Sequence, residues 1–430
     1  MTRAIVQEQT RLGVESVAGT AVAPVKRLYG LSLDLQAAGE FDEITPTGLI
    51  LPTGQPIRQE WSTFSIEDGS YPDFNSIIYP LAGVIGAPVT TTPGGATDAR
   101  EHRFALSSVG SNTVRTFTIR RGTSESAEQA DYGLFTGLNL GFSRTARPTL
   151  GGEGIARKLD LTKLIGTDQV NVVTITGTPT GGTFTITVNG QTTSAIAYNA
   201  DAATVQAALE ALSNVAPGDV AVTGSAGGPY TLTFGGDLAD TALTVTSSGA
   251  SLTGGTTPAA TTTTSQAGGP TEIDVKAILA GQLDVYLDDT AAGLGGTKLL
   301  GEYAVDFSLT GRFEPDWVIN SSLASFKGHV LARPDHSVTI RLANDATARA
   351  FMTNVRNGTR KFLRVEAVGE EIESGQDYLF RLDAAIDFNA VPTREAEGSA
   401  SALSYGARLA HDSTWGKGLE FLVRNGLAAL

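Results

Sequence analysis

Residues 30–44 read GLSLDLQAAGEFDEI, and residues 302–316 read EYAVDFSLTGRFEPD. Each opens with apolar side chains at alternate positions: Leu31, Leu33 and Leu35 in one, Tyr303, Val305, Phe307 and Leu309 in the other. A period of two places those side chains on one face of a half-buried strand. Each ends in an acidic loop around a phenylalanine, and the spacing from Leu31 to Phe41 equals that from Tyr303 to Phe313.

The correspondence extends outward. The first stretch leads to IRQEWSTFSI (Ile57 to Ile66) and then to a helical pattern from Asp73 to Leu81, with Asp73 as N-cap and Pro80 limiting its length. The second leads to a strand at Ser337 to Leu342 and a helix from Asn344 to Val355. Farther on, FTGLNLGFSR followed by GGEGIARKL resembles YLFRLDAAIDF followed by SYGARLAHD. We read two copies of one sandwich-plus-helix domain. The alternative is two unrelated β-rich halves of similar composition.

Other strands are expected at Leu28 to Gln36, Arg115 to Arg120, Phe135 to Ser143, Gln282 to Leu287 and Gly301 to Leu309. Between the halves the composition shifts, with no Lys or Arg from Lys163 to Lys276. Strand patterns VVTITG, TFTITVNG, DVAVTG, YTLTFGG and TALTVTS flank a helix at Ala202 to Leu212 capped by Asp201. That is a small α+β module. It is followed by TGGTTPAATTTTSQAGGP, which reads as a Gly/Thr/Pro linker with nothing to bury. Residues 1–26, with Ile5, Val6, Leu12, Val14 and Val17 but no evident core, read as an extended arm. The expected organisation is therefore an arm at 1–26, a first domain at 27–168, an inserted module at 169–268 and a second domain at 269–430.

Composition narrows the function. The 430 residues carry a net charge of −14, a poor match for gripping phosphate. There are no cysteines, which removes disulfides and thiolate metal sites. The N-terminus lacks the apolar core of a signal peptide and no apolar run is long enough to span a membrane. No GxSxG, HExxH, P-loop or EF-hand pattern occurs. Histidines stand at His102, His329, His336 and His411. Asp335-His336 near His329 reads as a polar turn with a strand-facing histidine and not a dyad, because no third orienting group is evident. Glu40, Asp42, Glu43, Glu314 and Asp316 read as solvated loop charge, too few for a calcium cage. Trp61, Trp317 and Trp415 read as core or interface anchors. We thus expect no catalytic residue, no metal site and no cofactor.

A family resemblance rests on LPTGQPIRQEWSTFSIEDGSYPDFNSIIYPLAGVIG and YGLFTGLNLGFSRTARPTLGGEGIARKL, and more weakly on 275–430. These resemble the tail tube (major tail) proteins of long-tailed, non-contractile bacteriophages. The insert, with TGTPTGGTFTITVNGQTTSAIAYNADAATVQAALEAL and GGPYTLTFGG, is similar to a small module of phage tail and bacterial surface proteins. The resemblance implies a mainly β chain: two tandem tail-tube-type β-sandwich domains, each with a flanking helix, plus the inserted surface module. It implies a non-enzymatic virion protein, assembled in the host cytoplasm, whose rings stack into a tube. The partners would be other copies of the chain, in a ring of three chains (pseudo-hexameric) or alternatively six, and the tape measure, tail terminator and distal tail proteins. DNA would pass the lumen without specific binding, and a negative wall would repel it. The alternatives are a virion surface adhesin that binds host glycans through the insert, for which Phe184, Tyr198, Tyr230 and Phe234 are the only aromatics, and a glycan-degrading enzyme, which would need a paired carboxylate cleft.

Overall fold

In the computed structural model, the described residues are 8–68, 70–107, 110, 112–123, 125–166, 168–320 and 325–430. The chain is mainly β, with several sheets and, among the described residues, three α-helices, Ile78–Val84, Ala202–Glu210 and Ala346–Asn357.

The two halves share one strand order. In the first, neighbouring strands run Gln9–Val14, Phe117–Gly122, Ala127–Ser143, Thr149–Ala156, Ile57–Ile66, Leu33–Phe41. In the second they run Leu283–Asp288, Lys361–Glu373, Gln376–Phe388, Ala400–Leu409, Asp335–Ala343, Glu302–Thr310. Every pairing is antiparallel. Position by position the two series also follow the same sequence order, with the helix Ile78–Val84 or Ala346–Asn357 after the strand Ile57–Ile66 or Asp335–Ala343. In the second half the long strand continues as Thr393–Glu397, which stays paired along Ala400–Leu409.

The halves do not have separate cores. The C-terminal part of Ala127–Ser143 pairs with Glu302–Thr310, and Leu419–Asn425 pairs with Arg100–Ala105. One hydrophobic cluster therefore runs from Leu12 through Phe135 and Phe307 to Val423. Within it, Gly154 makes room for an aromatic. A Cβ there would lie 2.1 Å from the Phe64 ring, which meets Phe135 edge-on at 4.9 Å.

The insert has its own cluster, in which Phe184 stacks on Tyr230 beside Val205, Leu209 and Phe234. Its helix Ala202–Glu210 starts at Asp201, whose side chain accepts the Thr204 amide at 2.8 Å. Its two ends meet, since Val170 faces Gln266 across adjacent strands.

Several expectations need correction. The segment expected to be a linker contains the strand Ala259–Gln266, paired with Gln169–Thr176 and contributing Ala260 to the insert core. Threonine is β-branched and suits a strand, so a Thr-rich run need not be a linker. The expected arm is in good part a strand. Gln9–Val14 lies between Phe117–Gly122 and Lys26–Leu28 with Leu12 fully buried; residues 1–7 lie outside the described residues. The run Leu28 to Gln36 is broken between Lys26–Leu28 and Leu33–Phe41. The first helix begins later than Asp73, so Pro80 sits in its first turn, where no amide partner is needed. Asp73 instead accepts the amides of Asn75 and Ser76 in the turn that precedes it.

Candidate functional site: the open face and open edges of the shared sheet

The junction strands build one continuous sheet of eight positions. It runs from Leu33–Phe41 through Ile57–Ile66, Thr149–Ala156, Ala127–Ser143, Glu302–Thr310, Asp335–Ala343 and Ala400–Leu409 to the long strand that ends at Thr393–Glu397. Directly opposed residues share a face. One face is apolar, with Leu138, Leu140, Val305, Phe307, Leu309, Val338 and Ile340 all buried.

The opposite face is short and polar. Asn139 faces Ser308, Gly141 faces Asp306, Ser65 faces Glu153, Thr339 faces Gly406 and Arg341 faces Ser404. The Ser308 hydroxyl donates to Asn139 Oδ1 at 2.6 Å. Charge on this face is mainly negative. The pairing register puts Asp34, Glu40, Glu153, Asp306, Asp335, Asp387, Glu395 and Glu397 on it, against Arg341 and Arg408. Arg341 is held by Glu397 at 2.8 Å and Glu395 at 3.4 Å. The Asp306 carboxyl is shifted upward by burial, against the pull of Arg341.

Both terminal edges of this sheet lack a strand partner among the described residues. Leu33–Phe41 pairs only with Ile57–Ile66. Thr393–Glu397 pairs only with Ala400–Leu409. Unpaired strand edges present rows of free amides and carbonyls, ready to accept another strand.

A loop from the second half clamps the first. Arg312, 2% exposed, donates to the Val84 and Ile85 carbonyls at the C-terminal end of the first helix and to Asn112. A cation there faces the negative end of the helix dipole, while burial lowers its pKa to about 10. Trp317 meets Trp61 edge-on at 5.7 Å, and Phe326 meets Tyr132 at 5.2 Å. Arg157 donates to the Phe326 and Lys327 carbonyls. Two of the three tryptophans are therefore interface anchors between the halves. The third, Trp415, lies against Phe362.

The remaining sequence candidates are not brought together. Asp335 accepts the His336 backbone amide, and the His336 ring accepts the Leu409 amide. His329 lies against Tyr132 and Phe313. His102 is buried, bonded to Thr90 and to Asn425 and the Leu427 carbonyl, and His411 is exposed. Glu40 and Asp42 pair with Arg58, Glu43 accepts from Thr45, and the Asp316 carbonyl accepts the Lys327 amide. Glu314 lies on the strand Phe313–Asp316, facing Val330. Among the described residues no group of three or more His, Cys, Asp or Glu is placed to hold a metal, and no helix is long and apolar enough to cross a membrane. In the insert Phe184, Tyr230 and Phe234 are fully buried, and Tyr198 packs against the same core. They form no aromatic platform.

The chain matches no family model. Over 104 residues it is 40% identical to the tail sheath protein of Mycobacterium phage Bxz1, a stretch covering 24% of this chain and 17% of that protein. The similarity is to a structural protein of a phage tail. It spans about one module's length, less than a fifth of the relative.

Proposed function

We propose that this chain is a tail tube protein, a non-enzymatic virion component whose rings stack into the conduit for DNA. The observation that carries this reading is the eight-stranded sheet with one polar face and two unpaired ends. Within the chain, the first half hands its long strand to the first sheet strand of the second. Because the two halves have the same topology, the second half's long strand can be handed on to Leu33–Phe41 of another copy. A repeated heterologous contact closes into a ring when its rotation divides a full turn, and closure removes the open edges. If six domains complete the turn, three chains suffice. The similarity to a phage tail structural protein agrees with placement in the virion tail.

The register of that contact follows from the pairing inside the chain. Ser308 faces Asn139 across the internal junction. Gln36 faces Thr63 in the first half as Ser308 faces Ser337 in the second, which makes Gln36 the counterpart of Ser308. Thr63 and Ser337 being equivalent, Ser65 and Thr339 are too, and their partners Glu153 and Gly406 match. Two positions away Gly151 then matches Ser404, whose strand partners are Asn139 and Thr393. Gln36 of one copy therefore faces Thr393 of the next.

The bore would be lined by hydroxyls, glycines and an excess of carboxylates over guanidiniums. DNA would slide past because such a wall repels phosphate and offers it little to bind. The tape measure, terminator and distal tail proteins would cap and fill such a tube, assembled in the host cytoplasm. Electron microscopy of the purified protein, with the mass of isolated rings, tests the reading. Hollow tubes or rings of three chains, each chain 44.6 kDa, are expected. Persistent monomers under all assembly conditions, or rings of six chains, would refute the tube or the stoichiometry respectively. The sheath similarity favours a second reading, a protein of the tail exterior. It would decorate or surround a tube made by another protein and form none alone.

A further inference from the structure

We propose that the hairpin loop 42–56 seats in a pocket on the second half of the neighbouring copy, locking the ring at the same junction as the strand edges. The inference rests on the head-to-tail reading above and adds to it a specific socket.

Its basis is a contrast between equivalent parts. The loop after Glu302–Thr310 is folded onto the first half, where Phe313 is 6% exposed and Phe326 fully buried. The equivalent loop after Leu33–Phe41 touches little. Its internal bonds are those of a hairpin, such as Ile44 amide to Gly54 carbonyl. Phe41, the counterpart of Phe313, is 62% exposed, and Ile50 and Leu51 at the tip are 98% and 74% exposed. Side chains this apolar are placed for a partner surface.

Topology identifies that surface. In the first half the clamping loop lands where three chain segments meet. One follows the strand Gln9–Val14 and supplies the Gly19 carbonyl that Arg157 binds. The second leads into the strand Phe117–Gly122 and supplies Asn112, which accepts from Arg312. The third is Arg157, directly after Thr149–Ala156, which donates to the Phe326 and Lys327 carbonyls. The equivalent segments in the second half follow Leu283–Asp288, begin Lys361–Glu373 and follow Ala400–Leu409. They enclose an open pocket of about 610 Å³ lined by Ala291, Ala292, Phe362 and Trp415, with Asp289 and Asp412 beside them. The socket that is filled in the first half is empty in the second. The direction of the contact is also consistent. The second half sends its loop back onto the half that gives it a strand, so a neighbour's first half would send loop 42–56 back onto the second half that pairs with its Leu33–Phe41.

The absence of cysteine makes the test clean. The full chain carrying Ile50→Cys with Ala292→Cys, and separately Gln36→Cys with Thr393→Cys, is oxidised after assembly and run on non-reducing gels. Single-cysteine variants serve as controls. Both pairs are expected to give a ladder that stops at three chains. Edge-pair cross-linking without loop-pair cross-linking would overturn the socket and leave the head-to-tail ring standing. A loop-pair ladder longer than three would also overturn it, since the loop would then bridge rings. Assembled rings in which neither pair links would overturn the head-to-tail reading itself.

Discussion

Asp73 shows how one side chain can tie distant parts of the chain and leave a signature in solution. It is fully buried, accepts the amides of Asn75 and Ser76 and the Ser76 hydroxyl, and its neighbour Phe74 donates to the Lys276 carbonyl. Burial raises its pKa to about 6, although those hydrogen bonds pull the other way. The folded state therefore holds a proton that the unfolded chain, with a carboxyl near 4, has released. Its stabilising contribution is complete below about pH 4 and is lost as pH rises through about 6, a change of up to about 3 kcal/mol. Asp73→Asn keeps an acceptor oxygen but cannot ionise. Urea titrations at pH 4 and 7 should show the variant gaining stability on the wild type as pH rises. Parallel curves would mean that Asp73 is ionised, or solvated, throughout.

At the scale of elements, the strands most legible in the sequence were those with one wet face. Ile57–Ile66 is legible at its observed bounds because its second half alternates buried and exposed. The caps Asp201 and Asp345 act locally, so the helices they start lie close to their expected positions. Gln9–Val14 was missed because four central residues are buried in a row, among them Arg11, whose guanidinium is held by Asp240 at 2.5 Å from 229 residues away. Ala259–Gln266 was missed because its partner strand lies far upstream. The open face and edges were illegible for the same reason. Phe41 and Phe313 look alike in sequence, and only the partner decides which is buried. The insert's adjoining ends and separate core lead to a prediction. Replacing 169–268 by a short Gly/Ser bridge should leave a folded, cooperative remainder that still assembles, at the cost of the Arg11–Asp240 pair. Thermal unfolding and microscopy check it, and an insoluble or non-assembling deletion protein would show that the insert supports the body of the fold.

For the whole molecule, duplicated topology and shared core pull in opposite directions, and fragments can tell which dominates. Each half has a complete set of six sheet strands and a helix, so by topology alone residues 269–430 would be a domain. Packing argues otherwise. Removing the first half would bare the edge of Glu302–Thr310, the edge of Leu419–Asn425, and the apolar side chains of Phe307 and Phe421, which meet edge-on within the common core. It would also strip Arg312 of three acceptors, leaving a guanidinium with little to bind. Exposing core aromatics costs about 1.5–3 kcal/mol each. Such losses soon reach the 5–15 kcal/mol that holds an ordinary domain together. Residues 1–268 and 269–430 made separately should therefore be aggregation-prone and show no cooperative transition of the shared core, while the two expressed together should recover one soluble complex. A sharp thermal transition from 269–430 alone would mean that the halves are autonomous and that their junction is an ordinary docking interface. The copy-to-copy contact, with the same topology, would then be expected to be about as strong as the internal one.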